Sequence, residues 1–96
     1  QAHVFYGVPP AEAGAYAAIR CPVLGYYGGN DARINTTIEK SAAAMQAAGK
    51  VFEPVTYEGA GHAFMRAGEE AEASSPNRQA MTAGWTRLLA ALAAPR

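Results

Sequence analysis

Apolar positions along this chain fall into three short runs and two longer helical stripes. The runs cover residues 2–6, 23–27 and 52–57. Val4-Phe5-Tyr6 and Val23-Leu24-Gly25-Tyr26-Tyr27 are nearly continuous, the pattern of strands covered on both faces. In the third run Phe52, Val55 and Tyr57 are separated by Glu53, Pro54 and Thr56. Pro54 has no N–H to give a ladder, which places this strand at a sheet edge. Between the second and third runs, Ile34, Ile38, Ala42, Met45 and Ala48 recur at helical spacing, with Glu39, Lys40 and Gln46 off that face. Asn35 or Thr36 can cap the start of this helix, and Gly49 ends it. A second helix is predicted over about residues 77–93, started by Ser75-Pro76-Asn77 and stopped by Pro95. Its stripe is Ala80, Met81, Gly84, Trp85, Leu88, Leu89 and Leu92, which assigns Trp85 to the core. Arg78, Gln79, Thr82 and Arg87 lie away from the stripe. Residues 9–19 can hold a short helix, against the resistance of Gly14 and two prolines, and residues 69–76 read as a solvated loop or loose helical turn.

The order strand, crossover, strand, helix, strand, long loop, helix predicts βαβ units. The fold class is therefore α/β, a three-stranded parallel sheet with flanking helices. Right-handed crossovers put the first two connections on one face, so the final helix must cover the other. The first strand keeps a free apolar edge, which is a sticky surface. Residues 1–96 thus read as a single partial domain, the end of a larger α/β sheet. An upstream half, or a second copy of the chain, is the partner expected along that first strand.

Composition narrows this reading. Half of the 96 residues are hydrophobic, but many of these are alanine, which buries little area. Eight basic and eight acidic residues are interspersed with zero net charge, which excludes a nucleic-acid stripe. No apolar stretch approaches a membrane span, and no charged segment precedes an apolar run at the start. A soluble, cytoplasmic protein is expected. The absence of an initiator Met points to processing or to a piece of a longer chain. Cys21 is the single cysteine, so an internal disulfide is excluded.

Two segments carry candidate chemistry: Gly28-Gly29-Asn30-Asp31 and Gly59-Ala60-Gly61-His62. Each follows a strand, and in open parallel sheets reactive groups gather at the carboxyl ends of strands. Adjacent strands lie about 4.8 Å apart, so an Asp31 carboxylate can reach the His62 Nδ1. That is the orienting half of a nucleophile–histidine–acid triad. Taken singly, the first segment is also an ordinary Asn/Asp turn and the second an ordinary loop histidine. No nucleophile is evident. Cys21 lies at the opposite, amino end of its strand, about 17 Å away, and reads as a small buried filler. Ser41 lies in a helix facing no obvious pocket, and Ser74 and Ser75 lack elbow glycines. His3 reads as structural, and Tyr6 as a core residue that could line the site.

The stretch from Cys21 to Ile34, with Ala48-Gly49-Lys50, Tyr57-Glu-Gly-Ala-Gly-His-Ala-Phe64 and Trp85-Thr-Arg-Leu88, resembles the C-terminal part of the dienelactone hydrolase family. These are α/β-hydrolase-fold enzymes, and the likeness runs from about Val4 to Leu92. It implies hydrolysis of a small-molecule ester or lactone, with Asp31 as triad acid, His62 as triad base and Arg66 binding a substrate carboxylate. No metal or organic cofactor is implied. The family's nucleophile, usually a cysteine in a Gly-x-Cys-x-Gly elbow, precedes the strand matched by Val4–Tyr6, upstream of Gln1. The isolated chain is therefore expected to be inactive. A non-catalytic α/β fragment or assembly partner is the alternative.

Overall fold

A computed structural model describes residues 1–94. Strands β1 (Ala2–Phe5), β2 (Val23–Gly28) and β3 (Phe52–Tyr57) form a parallel sheet in the order β1-β2-β3. A 3-10 helix, Ala13–Ala18, lies between β1 and β2. Helix α1 (Ala32–Ala47) joins β2 to β3, and α2 (Phe64–Ala67) and α3 (Ser75–Ala93) follow. The expected class and strand order hold. The stop signal at Pro95 lies outside the described residues.

Side chains alternate across β2, so its two faces build two clusters. Leu24 and Tyr26 join Ala60, Phe64, Ala80 and Ala91 on the α3 face. Val23 joins Met45 of α1 and Tyr16 of the 3-10 helix on the other. Both crossovers therefore lie on one face, as right-handed connections require. Every residue of β2 is buried, whereas β1 and β3 are half-buried or exposed edges. Val23 N–H donates to Val51 O and Gly29 N–H to Tyr57 O. Odd-numbered β2 residues thus serve β3, and in a parallel ladder this turns the Pro54 nitrogen to the open edge, where no N–H is missed.

Helix α1 begins earlier than the Asn35 or Thr36 cap predicts. Asp31 holds the N-cap position without a side-chain cap bond, and Asn35 instead reaches back to the carbonyls of Gly28 and Gly29. Its end follows expectation. Gly49 adopts φ 70°, Gly49 N–H donates to Gln46 O and Lys50 N–H to Met45 O, a Schellman closure.

Helix α3 starts at Ser75, capped by Ser74, whose Oγ accepts from Asn77 N–H. Its apolar stripe splits. The helix docks through Ala80, Gly84 and Ala91, while Trp85, Leu89 and Leu92 stay 45%, 59% and 60% exposed. The expectation of a core Trp85 is thus overturned. The cause is close approach: a Cβ on Gly84 would stand 2.8 Å from Met65 Sδ, so the small residues meet the core and the large ones flank it. Arg87 is also corrected. It is half-buried, donates to the carbonyls of Gly25 and Glu53, and stacks its guanidinium 4.5 Å from the Tyr26 ring centre.

Candidate active site

Asp31 and His62 meet where the carboxyl ends of β2 and β3 lie side by side. Gly28 makes the meeting tight, because a Cβ there would stand 2.5 Å from the carbonyl oxygens of both Ala60 and Gly61. The two turns are then laced together. Gly29 N–H donates to Tyr57 O, Asn30 N–H to Ala60 O, and the Asn30 side chain to Gly59 O. Gly59 supplies the sharp turn with φ 76°, a left-handed conformation natural to glycine. From the other side, Asn77 of α3 accepts from Gly61 N–H at 2.9 Å.

The result is a His62 Nδ1 to Asp31 Oδ2 distance of 2.6 Å. Nδ1–H donates to the carboxylate, which fixes the tautomer and leaves Nε2 free of that bond. The Asp31 side chain is only 9% exposed and that of His62 50% exposed, so the carboxylate is sheltered while the imidazole faces out.

The ring of Tyr6 lies 5.0 Å from the imidazole and meets Phe64 edge-on at 5.3 Å. Burial raises the Tyr6 phenol above its ordinary pKa, opposed by a hydrogen bond from the Met65 backbone. Tyr6 has φ 45°, which ends β1 one residue before the apolar run does. Left-handed backbone at a bulky residue costs about 1–3 kcal/mol and is a mark of constrained sites.

Arg66 sits on α2, exposed, four residues past His62, and among the described residues nothing pairs with its guanidinium. The hydroxyl and thiol candidates do not reach the pair. Among the described residues, no serine, threonine or cysteine side chain hydrogen-bonds to His62. Ser74 Oγ is occupied as a cap, and Ser75 Oγ accepts from Gln79. Cys21 is half-buried rather than buried, and Ser41 does face a cavity. Both line an apolar groove of about 380 Å³ between the 3-10 helix, α1 and the sheet, to which Asp31, His62 and Arg66 contribute nothing. Among the described residues no cluster of metal-ligating side chains occurs.

The family model described as the Dienelactone hydrolase family matches residues 1–94. The chain belongs to this family. Dienelactone hydrolase-type relatives agree with that assignment. A provisionally named carboxymethylenebutenolidase of Methylorubrum extorquens AM1 is 37% identical over 82 residues, 84% of this chain and 27% of that protein. The crystal structure of a provisionally named dienelactone hydrolase from Klebsiella pneumoniae superposes with a TM-score of 0.74 at 31% identity, covering 92% of this chain and 39% of the other. The chain therefore spans well under half the length of these family members.

Asp31 and His62, singled out by the sequence, are brought together in the structure, by residues the sequence did not single out for that task. Both Asn35 and Asn77 read in the sequence only as helix-start residues; Asn35 turns back to the carbonyls of Gly28 and Gly29, and Asn77 meets a loop sixteen residues away. The Tyr6 strain leaves no sequence signal, since tyrosine is a poor predictor of left-handed backbone.

Proposed function

We propose that this chain supplies the acid and base of an ester or lactone hydrolase whose nucleophile stands on another part of the protein. The 2.6 Å Asp31–His62 hydrogen bond at the carboxyl ends of neighbouring parallel strands carries this reading. Asp31 holds the His62 ring with Nδ1–H bound and stabilises the imidazolium. Nε2 takes the proton of a thiol or hydroxyl as it attacks the ester carbonyl. It then returns that proton to the leaving alkoxide, and an acyl-enzyme remains. Water, deprotonated by the same nitrogen, releases the acid. Arg66, exposed on α2 four residues past His62, would receive a substrate carboxylate.

The test is a chimera in which this chain follows the elbow-bearing upstream region of a dienelactone hydrolase. Hydrolysis of an activated ester is expected. His62→Ala should lower kcat by about 10⁶-fold and Asp31→Asn by about 10⁴-fold, the scale known for such groups in serine hydrolases. A folded chimera whose turnover ignores His62 would sink the reading. The isolated chain should show no His62-dependent turnover.

A second reading rests on the position of β1 at one edge of the three-stranded sheet formed by the described residues. In it the chain serves as an assembly partner, pairing that edge with an upstream half or a second copy. A stable monomer on size exclusion argues against it.

A further inference from the structure

Among the described residues, Tyr6 (φ 45°) and Ala63 (φ 61°) are the non-glycine residues with left-handed backbone. Both adjoin His62. Ala63 follows it in sequence, and Tyr6 lays its ring 5.0 Å away with the planes tilted by 60°. A bulky residue persists in this conformation only where its surroundings over-determine it. Those of Tyr6 do so from two sides. Its N–H donates to Tyr26 O at 2.7 Å, which keeps the residue on the ladder. Its ring meets Phe64 edge-on.

His62 needs such a neighbour. Its side chain is half exposed, and the bond to Asp31 fixes one edge of the ring only. Rotation of a histidine ring about its Cβ–Cγ bond is broad and weakly restrained. A flat aromatic surface wedged between Phe64 and the imidazole removes that freedom.

We propose that Tyr6 is a positioning residue whose ring, directed by the left-handed backbone at the end of β1, holds the His62 imidazole in the orientation that joins Nδ1–H to Asp31 and turns Nε2 outward. The proposal deepens the triad reading of Asp31 and His62 and rests on it. The ring does the positioning, so phenylalanine should replace tyrosine. Glycine should not, although it relieves the backbone strain at this position.

Long-range proton–nitrogen NMR of the full chain tests this at a pH where the imidazole is neutral. The chain has two histidines, and His3→Gln assigns their signals. In the unsubstituted chain the Nδ1–H tautomer of His62 should predominate, and Tyr6→Phe should keep it. Tyr6→Gly should lose that predominance, its ring signals moving to those of a solvated histidine, while the amide spectrum stays dispersed. Tyr6→Leu, which keeps apolar bulk without a flat ring, should lose it too and carries the test if the glycine variant unfolds. Retention of the tautomer in either variant overturns the role of Tyr6 and leaves the triad reading standing. Absence of Nδ1–H predominance in the unsubstituted chain overturns both.

Discussion

Asp31 occupies the N-cap of α1 yet caps nothing with its side chain, because its carboxylate is committed to His62. A carboxylate so placed leaves the helix terminus without a side-chain cap. Asp31→Asn should change stability by less than about 1 kcal/mol, the scale of a helix-dipole or partly exposed ion-pair contribution. It should also abolish the bonded Nδ1–H signal of His62. Denaturant melts and NMR of the same sample check both, and a collapse of stability would mean that the carboxylate is structural. Phe64 is the opposite case. It is fully buried, under both Tyr6 and Tyr57, and Phe64→Ala should cost about 3–5 kcal/mol. In a domain this small, that cost approaches the whole margin, so circular dichroism should find much of the chain unfolded.

At the scale of elements, β2 concentrates both packing and geometry. Gly28→Ala would drive a methyl group into the carbonyls of Ala60 and Gly61. The β3 loop must then withdraw, at about 1–3 kcal/mol by the scale of overpacking. His62 should part from Asp31, read as loss of the same Nδ1–H signal. An unchanged signal would show that the glycine is not what sets the separation. The sheet also sets a pH limit. Burial raises the pKa values of Tyr26, Tyr27 and Tyr57 above 10, the first and last opposed by Arg87. The folded chain holds these protons where the unfolded chain releases them, so the stabilisation is complete below pH 10 and is lost as pH climbs through the raised values. Thermal midpoints measured into the alkaline range should fall above about pH 10. Elements were well legible in the sequence wherever a period ran unbroken, as in α1, or where a turn glycine punctuated it, as at Gly49. The four-residue α2 was not legible: a single turn has no period, and its entry through a left-handed Ala63 depends on tertiary packing.

As a whole molecule the chain is a thin slab of 42 × 32 × 15 Å. Its radius of gyration is 13.8 Å, where a compact chain of this length has about 12.5 Å. Its accessible surface is 5923 Å², against about 5200 Å² for a compact 10.0 kDa protein. Part of the surplus is apolar, including Trp85, Leu89 and Leu92 on the outer side of α3. Because these side chains are outside the core, Leu89→Gln with Leu92→Gln should leave unfolding free energy within about 1 kcal/mol, two surface substitutions of ordinary size. Denaturant titration checks this, and a loss of several kcal/mol would return the stripe to the core.

The sequence by itself determined the strand order, the parallel class and the arrival of Asp31 and His62 at one end of the sheet. Those follow from periods and turn residues, which act within a few positions of the chain. Only the tertiary structure decided which half of the α3 stripe docks, that Arg87 reaches sheet carbonyls, and that Tyr6 bends out of β1 against the imidazole. A hydrophobic pattern says that a face is to be covered, whereas the covering neighbour and its distance depend on shapes contributed from far along the chain.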